Sequence, residues 1–141
     1  MEKLMEEILN NYIQRLIEHK RVMTLAYFFR KDKVYINQLD SIDRRFTLLF
    51  TRMFCEEKRI DKIIIIMPEG RLTSDLDGFL PRIPADHEDT IGVIGEDIKG
   101  NICGIVQIFS RDKKGRIKLK EKYTFRGFSP MGRFLDYKND R

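Results

Sequence analysis

Ile60-Asp61-Lys62-Ile63-Ile64-Ile65-Ile66-Met67 contains four consecutive isoleucines. β-Branched side chains are stiff at χ1 and pack well on a pleated surface. Successive residues of a strand point to opposite faces, so an unbroken apolar run is a strand buried on both faces. The stretch therefore reads as the centre of a sheet.

Upstream of it, Leu4, Met5, Ile8, Leu9, Tyr12, Ile13, Leu16 and Ile17 recur at helical spacing. They predict an amphipathic helix from Met1 to about Arg21, with a stripe wide enough to face a core. Met23 to Phe29 is β-prone and reads as a strand, Arg30 to Lys33 as a charged turn, and Val34 to Leu39 as an optional short strand. Asp40 and Ser41 are good caps for a second helix. In it Ile42, Phe46, Leu49, Phe50, Met53 and Phe54 repeat at helical spacing, and Phe46, Phe50 and Phe54 are expected to lie on the sheet.

Downstream, Pro68 to Asp89 carries Pro68, Gly70, Gly78, Pro81 and Pro84 and has no clear period. A loop of that length is uncommon in a compact domain and is often functional. A meander of three strands follows: Thr90 to Glu96, Ile102 to Ser110 and Ile117 to Phe125. Its turns are marked by Lys99-Gly100-Asn101 and Asp112-Lys113-Lys114-Gly115. In the last strand, alternation sets Ile117, Leu119, Tyr123 and Phe125 on one face and Lys118, Lys120, Lys122 and Thr124 on the other.

The expected fold is α+β, with two helices packed on one face of a mostly antiparallel sheet of four or five strands. Residues 1–126 form one domain. The tail, 127–141, has six apolar residues in Phe128, Pro130, Met131, Phe134, Leu135 and Tyr137, too many for a free tail, so it packs on the domain or on a second subunit.

The segment from Ile60 to about Asp112 resembles a group of uncharacterised small prokaryotic proteins. In them a buried strand leads to a loop with a Pro-Ser-Glu-His-Pro-Asp-Arg-like run and then a hairpin. The matching run here is Pro84-Ala85-Asp86-His87-Glu88-Asp89, which departs where the second proline and the arginine would stand. The resemblance covers about a third of the chain and implies no particular activity.

A hydrophobic fraction of 42% against a charged fraction of 35% reads as a globular chain with a heavily charged surface. Glu2, Glu6 and Glu7 interrupt any signal-peptide core, and no apolar run is long enough to span a bilayer, so a cytoplasmic protein without a membrane partner is expected. Cys55 and Cys103 lie far apart with no metal-ligand spacing, and read as reduced, packed thiols. Residues 61–98 carry 3 basic and 9 acidic groups, whereas residues 99–141 carry 12 and 4. The chain is polarised into an acidic middle and a basic C-terminal third.

Three groups could carry chemistry. Glu69, Asp86 and Asp97 are candidate ligands for a hard cation. With His87 as a base and Lys99 beside the attacking water, Asp86 and the Asp97-Ile98-Lys99 triplet outline a metal-dependent hydrolase of phosphodiesters, the one case in which Mg²⁺ or Mn²⁺ is called for. Lys118, Lys120 and Lys122 outline a nucleic-acid contact. Each group also has a plain structural account, in which Asp, Gly and Pro build loops and turns and lysines guard an edge strand. There is no Gly-x-Ser-x-Gly, P-loop or Gly-x-Gly-x-x-Gly, and no cofactor is expected. The leading expectation is a non-catalytic binding or interaction domain that forms a homodimer through the first helix and the tail, with other protein partners open to it.

Overall fold

The computed structural model describes residues 1–19, 23–39, 44–68, 88–114, 116–127 and 132–135. The elements run α1 (Glu2–His19), β1 (Leu25–Arg30), β2 (Lys33–Gln38), α2 (Arg44–Lys58), β3 (Lys62–Pro68), β4 (Glu88–Asp97), β5 (Ile102–Arg111) and β6 (Ile117–Arg126). The strands form one six-stranded antiparallel sheet in the order β2-β1-β3-β4-β5-β6. The isoleucine strand, β3, lies inside the sheet, as its composition requires. The sheet has one strand more than the four or five expected, because the optional segment does pair: Leu25↔Gln38 through Arg30↔Lys33 join β1 to β2. Lys31, at φ 53°, turns that hairpin, and its amide donates to the Asp61 carboxylate at 3.1 Å.

The two helices do not share a face. Ile64 and Ile66 pack with Met5, Leu9, Tyr12 and Leu16 of α1. Ile63 and Ile65 pack on the other side with Phe28, Cys55 of α2, Phe134 and Leu135. The cause is β3 itself: its isoleucines project both ways, and each face needs cover. The apolar stripe of α1 is therefore spent on the sheet, with Met5, Leu9 and Leu16 at most 1% exposed. It approaches β4 closely, since a Cβ on Gly95 would stand 2.7 Å from the Met5 sulfur.

α2 ends in a Schellman motif. Arg59 adopts φ 53°, the Ile60 amide donates to the Cys55 carbonyl at 3.0 Å, and the Arg59 amide donates to that of Glu56 at 3.3 Å. The motif turns the chain so that Ile60, fully buried beside Cys55, leads straight into β3.

Of the described tail residues, Phe134 and Leu135 are buried at 2% and 1% exposure and pack on the α2 side of the sheet. α2 holds them through Arg52, whose Nε donates to the Arg133 carbonyl at 2.8 Å and whose guanidinium lies over the Phe134 ring.

β6 contains a bulge. Gln107↔Lys122 and Phe109↔Leu119 leave Lys120 and Glu121 opposite the single residue Ile108. The buried Gln107 amide fills the gap, donating to the carbonyls of Ile108 at 2.8 Å and Lys120 at 3.0 Å. The extra residue reverses the alternation expected of the last strand. Ile117 and Leu119 pair with Arg111 and Phe109 on the α1 side, while Tyr123 and Phe125 pair with Val106 and Gly104 on the α2 side.

Candidate functional site

Among the expected site residues, Glu69, Asp86 and His87 lie outside the described residues. Asp97 and Lys99 are described, and the structure places them at the β4–β5 turn. The Asp97 carboxylate accepts hydrogen bonds from the backbone amides of Lys99 at 2.9 Å and Asn101 at 3.0 Å, and from the Asn101 side-chain amide at 2.8 Å. Gly100, at φ 92°, completes the turn by donating its amide to the Asp97 carbonyl at 3.1 Å. Partial burial pushes the Asp97 carboxyl up, but the Asn101 amide and the two backbone donors outweigh it and hold the group below its ordinary value of 3.8. Among the described residues no three His, Cys, Asp or Glu groups converge to hold a metal ion.

A depressed carboxyl pKa stabilises the fold above the ordinary value, and that contribution is lost as pH falls through the lower folded value. Asp97→Asn is therefore expected to cost about 1 kcal/mol at pH 7, the worth of the lost charge-assisted bonds. The gap to the parent should narrow as pH falls below 3.8 and through the lower folded value. Urea titrations at pH 7 and pH 2.5 check both halves, and an equal gap at the two values would show that the carboxylate charge is not what holds the turn.

A cleft of about 610 Å³ opens beside this turn, lined by Met1, Glu2, Lys3, Asp97, Asn101 and Arg126 among others. Two of its charges are matched to each other, since Arg126 and Glu2 form an ion pair at 2.6 Å.

The lysines of β6 do not form one face. Lys118 pairs with Ser110 and stands on the α2 side, Lys120 is part of the bulge, and Lys122 stands on the α1 side, where its Nζ meets the Glu6 carboxylate at 3.0 Å. Asp112 draws in the neighbouring basic turn by accepting from the amides of Arg116 at 2.8 Å and Lys114 at 2.9 Å, and from the Arg116 Nε at 2.7 Å. The Arg116 amide, followed by its side chain and the Lys114 amide, holds the Asp112 carboxyl below its ordinary range. The basic C-terminal third is thus partly matched by acids of α1 and of its own turn.

Two arrangements were not foreseen from the residues. The first is Glu96. Its side chain is fully buried and its carboxylate receives the amides of Phe134 at 3.0 Å and Leu135 at 2.8 Å and the Arg133 Nε at 3.0 Å. This acid ties the tail to β4. Cys55 lies in the same core, and its thiol is pushed up to about 12 by burial and then by the negative charge of Glu96. It stays protonated, and so a poor nucleophile, throughout the neutral range.

The second is the outer side of α2. Thr51 and Cys55 are buried, with Leu48 and Phe54 partly buried beside them, and these four form the side that meets the sheet. Phe46, Leu49, Phe50 and Met53 project the other way and are 53–58% exposed. Phe46 and Phe50 were expected on the sheet, and the structure overturns that. α2 is apolar on two sides: of the three phenylalanines expected on the sheet only Phe54 turns inward, its ring centroid 4.6 Å from that of Phe28, beside Leu48, Thr51 and Cys55. The outer four recur at i, i+3, i+4 and i+7, a continuous stripe along two turns. The Phe46 and Phe50 rings pack edge to face with centroids 4.4 Å apart.

No protein-family model, curated protein or solved structure matches the chain. Among the described residues no helix is long and apolar enough to cross a membrane.

Proposed function

We propose that this chain is a non-catalytic interaction domain whose docking surface is the outer stripe of α2. The observation that carries it is the set of four large apolar side chains, each more than half exposed, on one side of a single helix. At roughly 100 Å² apiece they present about 400 Å² of apolar surface, the size of patch that on a monomer is often functional. Scattered exposed apolar residues need no explanation, but a continuous stripe with paired rings does. Asp97, from the expected catalytic set, and its neighbour Glu96 both serve the fold, which supports the same view. Glu96 serves as acceptor for the tail and Asp97 as acceptor for a turn.

A docking stripe differs from a core stripe in how it tolerates charge. Phe50→Glu combined with Met53→Glu is expected to leave the thermal midpoint within about 3 °C of the parent, since surface changes are usually within 0.5 kcal/mol each. Circular dichroism melts measure it, run below the concentration at which the parent self-associates, because association would itself raise the parent's midpoint. A loss of 10 °C or more would mean that the chain's own residues cover the stripe, and the proposal would fall.

A further inference from the structure

We infer that the occupant of this stripe is a second copy of the chain, with the two α2 helices packed antiparallel about a two-fold axis that passes between Leu49 and Phe50. This rests on the proposed docking surface and names its partner.

The charge pattern of α2 sets the direction. A helix ordinarily carries acids in its first turn and bases in its last, to suit its dipole. α2 has no acid in its first turn, where residues 44 and 45 are both arginine, and its last turn holds Glu56 and Glu57 before Lys58. That order is unfavourable for an isolated helix. It becomes complementary when a second α2 runs the opposite way, because each basic start then meets an acidic end. Helical geometry puts residues 45 and 56 three turns apart on the same border of the stripe. In an antiparallel pair like borders face each other, so position 45 of one copy, an arginine in the sequence, comes to the same border as position 56 of the other, a glutamate. A parallel pair would set like charges together at both ends.

The stripe is self-complementary about the same axis. Phe46 lies opposite Met53 of the second copy and Leu49 opposite Phe50. Every contact is made twice, as a two-fold interface requires. A specific interface buries at least about 600 Å² on each partner. The four side chains supply about two thirds of that and the bordering charges can supply the remainder. Sheet extension is the other common route to a symmetric dimer, and one edge is guarded against it: β6 carries the bulge together with Lys118, Lys120 and Lys122.

The test uses the full chain. Light scattering at micromolar concentration should give twice the 16.8 kDa chain mass. Phe50→Glu/Met53→Glu should give the chain mass with an unchanged circular dichroism spectrum. Arg45→Glu should weaken association at least tenfold, and adding Glu56→Arg should restore most of it. Register is read by cysteine pairing. A mixture of Phe46→Cys and Met53→Cys should oxidise to a covalent dimer at least ten times faster than either variant alone. Residue 46 meets residue 53 of the second copy at the same height, whereas two residues 46 are seven positions, about 10 Å, apart along the axis, beyond disulfide reach. A parent chain that stays at the chain mass up to 100 µM overturns the pairing. So does a dimer that survives the double glutamate variant, or one in which Phe46→Cys alone links as fast as the mixture. A monomeric parent whose double glutamate variant melts like it would leave the docking surface standing with another partner. A variant that unfolds would remove both.

Discussion

Glu96→Ala is expected to cost about 3–5 kcal/mol, a large share of the stability of an ordinary domain. The carboxylate is fully buried and accepts from two backbone amides and one guanidinium. Its removal strands the amides of Phe134 and Leu135 in a dry site, and an unmet buried donor costs about 1–3 kcal/mol. It also frees the segment that puts Phe134 and Leu135 over Ile63 and Ile65. Glu96→Gln keeps an acceptor oxygen but loses the charge, and should cost about half as much. Arg133→Ala should cost about 1 kcal/mol, because that side chain is 37% exposed and its ion pair is partly screened. Urea midpoints of the three variants give the ranking. Amide exchange at Phe134 and Leu135 should rise in Glu96→Ala before any global opening. A cost below 1 kcal/mol for Glu96→Ala would show that the apolar contacts, and not the carboxylate, hold the tail.

Gly104→Ala should cost about 3 kcal/mol, at the upper end of what overpacking does to a core. Gly104 pairs with Phe125 across β5 and β6, and the ring of Phe125 lies directly over the glycine, so that an added Cβ would overlap it. The ring covers backbone that a glycine leaves bare, an aromatic rescue of a strand glycine. It cannot swing away without leaving the core it shares with Val106. A double-mutant cycle isolates the overlap. Phe125→Ala alone should cost about 3 kcal/mol through the lost contacts. In that background Gly104→Ala should cost almost nothing, since alanine is the better strand residue once the ring is gone. Additive costs would show that the glycine is needed for its backbone and not for the ring.

The parts of this fold that could be read from the residues are those set by local pattern. The isoleucine run, the helical repeat from Leu4 to Ile17 and the Lys99-Gly100-Asn101 turn each have one physical solution, and β3, α1 and the β4–β5 hairpin follow. The errors came from patterns with two solutions. α2 is apolar on two sides, and periodicity alone cannot say which side meets the sheet. Size suggests that Phe46, Phe50 and Phe54 face inward, but only Phe54 does, and the buried positions are Thr51 and Cys55. The β6 bulge reverses a face without altering the composition of the strand. Its sign was on β5, where Gln107 interrupts Ile105-Val106-Gln107-Ile108-Phe109, a polar residue in an otherwise apolar strand that needs something to bond to. Glu96 left the same kind of sign. It is an acid closing a strand of apolar residues, and its partners lie 37 to 39 residues further along the chain, beyond the range of any local pattern.

The alternation of the β3 isoleucines also sets how the molecule comes apart. Ile63 and Ile65 belong to one apolar cluster and Ile64 and Ile66 to the other, so both cores hang on the same four consecutive residues. Neither layer can loosen without disturbing the backbone that the other depends on. The chain has two cores in space but a single cooperative unit in energy, and heat or denaturant should empty both in one transition, with calorimetric and van't Hoff enthalpies equal. Partial opening is left to the periphery: the β2 edge, the far end of β6 and the tail segment once its acid is lost.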